Sequence, residues 1–107
     1  MEEKLSFENI ENKEQHLINL LKEKGVGDFE TKNLLNEWII EQEKQVEKDK
    51  NPNAVIELNL RRARLYFKSG YKEEALENFK DALTQAWNEH KDELYGSILN
   101  EMDKLGF

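Results

Sequence analysis

The 107-residue chain contains no cysteine, only one proline and only five glycines. The lack of cysteine excludes disulfide scaffolds, iron–sulfur clusters, cysteine-ligated zinc and thiol nucleophiles. No apolar run approaches the roughly 18 residues needed to span a bilayer, and the acidic start at residues 1–4 does not resemble a signal peptide. We therefore expect a cytoplasmic chain with no membrane-spanning segment.

Charged residues are abundant, and acids exceed bases. Charged side chains make up 36% of the chain, the net charge is −7, and the mean hydropathy is −0.91. Such a composition is typical of disordered chains. The ten aromatic residues recur periodically, however, and indicate a folded core. A chain of this length is typical of a single domain.

Apolar residues recur at helical spacing, and no segment shows the strict alternation of a half-buried strand. The few glycines and the proline separate five predicted helices, so the expected fold is all-α with antiparallel helices. Ser6 is a candidate cap for the first helix and Asp28 for the second. The apolar residues of these two helices are Leu17, Leu20 and Leu21, then Leu34, Leu35, Trp38, Ile39 and Val46.

The third helix has the clearest boundaries. Asn51 is a suitable N-cap, Pro52 suits the first helical position, and Gly70 can adopt the left-handed conformation that ends a helix. The fourth helix carries a dense apolar stripe, and the fifth ends beside Gly106. The apolar residues of the fourth helix are Ala75, Leu76, Phe79, Ala82, Leu83, Ala86 and Trp87.

Small residues stand where the third and fourth helices would approach each other closely, and large residues stand beside them. This pattern comprises Ala63, Tyr66, Gly70, Ala75, Phe79 and Ala82-Leu83. At this spacing it resembles the tetratricopeptide repeat, a 34-residue helix–turn–helix unit, over about residues 56–89. Two positions depart from that family: Asn59 replaces the expected tryptophan, and the aromatic after the glycine is Tyr71, directly beside it.

The resemblance implies a tetratricopeptide-like hairpin at 51–89, within a single all-helical domain of residues 1–107. An N-terminal helical pair would cover 1–50, and a capping helix 90–107. One such repeat cannot bury both of its faces. Either the flanking helices close it into a five-helix globule, which we favour, or copies stack through an exposed face as a homodimer.

A basic window runs from Glu57 to Lys72 and contains all three arginines of the chain. Because the window has a net charge of +4 and the whole chain −7, the remaining residues carry −11. In tetratricopeptide-repeat proteins, the first helix of each repeat lines a groove that holds an extended peptide. The resemblance implies a partner-binding site that suits an acidic or C-terminal peptide, because arginine matches carboxylates bidentately. Its residues would be Leu60, Arg61, Arg64, Phe67 and Lys68.

The same bases have a purely structural interpretation. They could neutralise acids of the neighbouring helices, for instance Glu41, Glu43 and Glu47, since a chain this acidic repels itself. The two interpretations differ in what reversing Arg64 and Lys68 to glutamate would do. A ligand-facing pair predicts lost partner binding, whereas internal pairing predicts a lower melting temperature.

The residue types that perform most enzyme chemistry form no recognisable arrangement. His16 and His90 belong neither to HExxH nor to Glu-x-x-His, and each is expected on the surface or at a helix end. Paired carboxylates such as Glu73-Glu74 lie in charge-rich stretches typical of a solvated helix face. Glycine-rich phosphate motifs are absent. We therefore predict no catalytic residue, no metal and no cofactor.

The leading hypothesis is a non-catalytic adaptor or scaffold that binds another protein or peptide through a tetratricopeptide-like groove. A second is a small acidic inhibitor, antitoxin or immunity-type protein that caps a basic surface, and a third is an enzyme whose carboxylate site shows no motif. Nucleic acids and membranes are disfavoured as partners because both are negatively charged. Trp38 and Trp87 are expected to be core or interface anchors.

Overall fold

The computed structural model describes the backbone of residues 2–107 and the side chains from Lys13 onwards. Within that range it contains five α-helices and no strand, so the all-α prediction is confirmed. The helices are α1 (Glu2–Glu23), α2 (Phe29–Lys48), α3 (Ala54–Lys68), α4 (Lys72–Asn88) and α5 (Asp92–Lys104).

The chain divides into two compact units, residues 1–41 and residues 42–107. The boundary lies inside α2, whereas the sequence predicts one domain whose first section ends at residue 50. No local signal marks this boundary, because α2 passes through it without a glycine or a proline.

The first unit contains α1 and the first part of α2. Asp28 caps α2 as predicted: its carboxylate accepts hydrogen bonds from the backbone N–H of Thr31 at 3.1 Å and from the Thr31 hydroxyl at 2.9 Å. These bonds hold the pKa of Asp28 below its usual value. Ser6 lies inside α1 and does not begin it, and its side chain falls outside the described residues. Among the side chains of this unit from Lys13 onwards, the buried apolar residues are Leu17, Ile18, Leu20, Leu21, Leu35 and Trp38.

In the second unit, α3 packs against α4, and α4 packs against α5. Ala63, Ala75 and Ala82 are each 0% exposed, as predicted for small residues at a close contact between helices. Larger side chains complete the core around these methyl groups. The core cluster is Ile56, Leu60, Ala63, Phe79, Ala82, Ala86, Ile98 and Met102.

One turn geometry ends each helix from α2 to α5. The residue two positions after the last helical residue has a positive φ in every case: Lys50 (52°), Gly70 (88°), His90 (57°) and Gly106 (90°). The next N–H then donates to the carbonyl five residues earlier, as Tyr71 does to Tyr66 at 2.8 Å. This pattern is the Schellman motif, and it confirms the predicted role of Gly70. His90 occupies the equivalent position without being glycine.

The predicted start of α3 is wrong by two residues, because the helix begins at Ala54 rather than at Pro52. The side-chain oxygen of Asn51 accepts a hydrogen bond from the Asn53 N–H at 2.8 Å, and its carbonyl accepts one from the Ala54 N–H at 3.2 Å. Asn51 therefore forms a turn before the helix, a use of asparagine that competes with helix capping. Asn53 occupies the N-cap position instead.

Substitutions at His90 and Gly70 should change stability in opposite directions. A side chain in the left-handed region costs about 1 kcal/mol, so His90→Gly should raise the free energy of unfolding by about 0.5 kcal/mol after glycine's extra chain entropy is counted. Gly70→Ala should lower it by about 1 kcal/mol. A methyl group at Gly70 would meet no atom within 4 Å, so any loss there comes from backbone strain alone. Urea unfolding of both variants measures this, and equal shifts of the same sign would contradict it.

Enlarging a buried alanine should destabilise the second unit. Ala82→Leu adds three carbon atoms to a position that has no exposed surface, so the free energy of unfolding should fall by about 2 kcal/mol. The exposed substitution Asn100→Leu serves as a control and should change stability by less than about 0.5 kcal/mol. If urea unfolding found Ala82→Leu as stable as the wild type, the α3–α4 contact would not be tight.

Candidate functional site

The three arginines of the basic window lie on α3 and pair with polar residues of the second unit, and two of them, Arg61 and Arg64, belong to the predicted site. Arg61 donates to the side-chain oxygen of Gln42 at 2.8 Å and to the carboxylate of Glu57 at 3.2 Å. Arg62 lies 3.8 Å from the carboxylate of Glu43. These contacts support internal neutralisation, and Glu43 is one of the carboxylates that this interpretation names.

Arg64 forms the best-defined ion pair of the described residues. Its Nε and Nη2 donate to the two carboxylate oxygens of Glu101 on α5, at 2.8 Å and 2.9 Å. This two-pronged geometry is the strong form of an arginine–carboxylate pair. The hydrogen bonds raise the pKa of Arg64 and lower the pKa of Glu101. Arg64 therefore links α3 to α5, and its guanidinium group is already bound to a carboxylate of this chain.

The other predicted site residues differ in accessibility. Leu60 is 3% exposed and belongs to the core cluster, so it does not form the floor of an open groove. Phe67 is half-buried, with its ring centroid 5.7 Å from that of Phe107. Lys68 is exposed and forms no ion pair with any described residue. The face of α3 predicted to hold a peptide is thus largely occupied by residues of the second unit.

A different surface of the second unit is both open and apolar. A shallow groove of about 330 Å³ lies where Lys80, Leu83, Thr84 and Trp87 of α4 meet Tyr95 of α5. We call it the α4–α5 groove.

Trp87 is an exposed residue of this groove, with 66% of its surface accessible. Its ring lies 5.5 Å from that of Tyr95, centroid to centroid. Leu99 follows Tyr95 by four residues, which places it on the same face of α5, and it is 43% exposed. An aromatic pair and a leucine therefore form an exposed apolar surface across two helices.

The sequence predicts that Trp87 is a core or interface anchor, but it does not predict the ring contact between Trp87 and Tyr95. The exposed ring excludes the core alternative. A signal was present in the width of the apolar stripe on α4, which extends from Ala75 round to Trp87. Among the apolar residues of that stripe, Trp87 alone is exposed, so the open surface lies at its edge of the stripe.

A smaller cavity of about 80 Å³ lies in the first unit. It is well below the roughly 300 Å³ typical of small-molecule sites. Trp38 lines it and is 9% exposed, which makes this tryptophan a core residue. The other lining residues are Lys13, His16, Leu17, Leu34, Glu37 and Glu41.

Among the side chains from Lys13 onwards, no group of three or more histidines and carboxylates is placed to hold a metal ion. The described helices include none with the length and apolarity required to cross a bilayer. No protein-family model, curated protein or solved structure matches the chain. The tetratricopeptide resemblance therefore rests on the residues quoted for it above.

Breaking the Arg64–Glu101 pair should lower stability. Glu101→Gln and Arg64→Ala should each reduce the free energy of unfolding by about 1 kcal/mol, because the pair is partly exposed and screened by solvent. A double-mutant cycle should give a favourable coupling of similar size. Lys68→Ala is the matched control and should leave stability unchanged, since its side chain is exposed. Unfolding curves without any coupling would contradict the pairing.

The same pair predicts a pH dependence. Because the folded state lowers the pKa of Glu101, the stabilisation is fully present above the carboxylate's ordinary value of 4.5 and is lost as the pH falls through the lower folded value. The wild type should therefore lose more stability than Glu101→Gln on acidification below pH 4.5. Melting temperatures measured across that range test this, and parallel curves would contradict it.

Proposed function

We propose that this protein is a non-catalytic binding module for other proteins, and that it acts through the α4–α5 groove. The observation that supports this most directly is the exposure of Trp87 beside Tyr95. Tryptophan and tyrosine are the side chains most often found to dominate the energy of protein interfaces.

Part of the apolar surface at the groove lies outside the core. Leu83 and Tyr95 pack against the core cluster, whereas Trp87 and Leu99 belong neither to the cluster nor to the residues packed against it. A soluble chain usually exposes single apolar residues, whereas a contiguous apolar surface rimmed by polar residues marks an interaction site. The groove therefore suits the adaptor or scaffold hypothesis, with the contact moved from α3 to α4 and α5.

The tetratricopeptide resemblance implies a peptide groove on α3, which is not the surface proposed here, but it also implies a stacking surface on the hairpin. In stacked helical repeats each hairpin buries a face against its neighbour. A helix from a partner would then take the place that a further repeat would occupy beside α4 and α5. The module would work by holding or shielding that partner, with no covalent step.

A second candidate follows from the charge distribution. The residues outside the basic window carry −11, and acidic surfaces of that kind suit the capping of a basic protein. Exposed charges are screened beyond about 8 Å at physiological ionic strength. A complex held mainly by this surface should dissociate in moderate salt, whereas one anchored by Trp87 should persist.

Affinity purification with matched variants tests the binding function. We expect the wild type to retain a specific partner in moderate salt, and Trp87→Glu to lose at least nine-tenths of it because a charge would replace the apolar anchor. Phe29→Glu is the control, since Phe29 is an aromatic residue, 80% exposed, in the first unit. Equal recovery by the wild type and Trp87→Glu would contradict the proposed site.

A further inference from the structure

We infer that the occupant of the α4–α5 groove is an amphipathic helix of another protein, whose apolar stripe is flanked by lysine or arginine. The inference rests on the proposed function and adds the class of partner. Its support comes from the length of the groove, the polar group at its anchor and the charges along its edges.

The apolar surface along the groove is long enough for a short helix. Leu83 and Trp87 of α4 and Tyr95 of α5 line the groove, and helical spacing places Leu76 and Leu99 on the same faces beyond the lining. Leu76 and Trp87 are eleven positions apart, which is about 16 Å along the helix axis. An occupying helix of about three turns would place its apolar stripe along that length.

The anchor also has an unused polar group. The indole N–H of Trp87 donates to no described residue, although buried tryptophan N–H groups usually have an acceptor. In the free chain 66% of the Trp87 surface is exposed to water. A docked helix that covers the ring could accept its hydrogen bond through a side-chain oxygen, which would orient the helix within the groove.

The edges of the groove are acidic. By helical spacing, Glu73 and Glu77 lie on the same side of α4 as Lys80, the one base among the lining residues, and all three are exposed. On α5, Asp92 and Asp103 lie before and after the Tyr95–Leu99 pair on the same face, and both are exposed. Lys72, four residues before Leu76, adds a second exposed base on this side. Four carboxylates against two ammonium groups leave the edges net acidic, which favours a partner with basic residues beside its apolar stripe.

The same charges argue against two other occupants. A second copy docked face to face would bring identical acidic edges together on chains of net charge −7, and like charges at an interface are destabilising. Residues 1–12 of this chain contain four glutamates and one lysine, so they also lack the required charge. A basic helix from another protein satisfies both the apolar surface and its edges.

Selection from a phage-displayed library of helical peptides, with the surface positions randomised, tests the inference. Clones selected on the full chain should bind it at least tenfold more tightly than they bind Trp87→Glu or Leu99→Glu. They should carry lysine or arginine beside the apolar stripe, and exchanging these for glutamate should weaken binding at least tenfold. Binding to Phe29→Glu should equal binding to the wild type, and circular dichroism should show that all three variants fold.

The possible results separate the inference from the proposed function. Clones that depend on Trp87 but have neutral or acidic flanks would overturn the inference and leave the binding function in place. The absence of any clone that depends on Trp87 would overturn both. A light-scattering mass of twice 12.7 kDa that Trp87→Glu returns to the monomer would identify a second copy as the occupant and overturn the inference.

Discussion

The second unit depends on the contact at which α3 and α4 meet through alanine. Ala63, Ala75 and Ala82 expose no surface, so the two helices meet with only methyl groups at these points. That spacing allows Leu60 and Phe79 to fill one core, against which Ile98 and Met102 of α5 then pack. A larger residue at any of the three alanine positions would force side chains into strained rotamers or separate the helices.

Packing of α5 determines which surfaces remain available. Glu101 accepts two hydrogen bonds from the guanidinium group of Arg64. The ring of Phe107 lies 5.8 Å from that of Phe79 and 5.7 Å from that of Phe67, centroid to centroid. Most of the α3 face predicted to hold a peptide is therefore occupied by the chain's own residues, and Lys68 stays exposed. The side of α4 that carries Trp87 remains open, because α5 covers only part of the wide apolar stripe. The position of α5 thus explains both the occupied face and the open groove.

Repeated turn geometry sets the lengths of α3 and α4. Lys50, Gly70 and His90 lie twenty residues apart, and each adopts a positive φ at the same place in its turn. Gly70 predicts a helix end from the sequence, because only glycine adopts a positive φ without an energetic cost. The sequence does not indicate the same turn geometry at Lys50 and His90, because neither position is a glycine. The position of Tyr71 has a local reason: its N–H closes the Schellman turn, and its ring packs against Tyr66.

The sequence alone determined the all-α class, the number of helices, the cap at Asp28 and the burial of the three alanines. Each of these depends on residues close in the chain or on helical spacing, and local physics decides them. Only the tertiary structure decided that Leu60 is buried, that Arg64 holds Glu101 from 37 residues away, and that Trp87 and Tyr95 share a groove. Those relations depend on how α5 packs against the other helices, and helical periodicity specifies an apolar face without specifying which element will cover it.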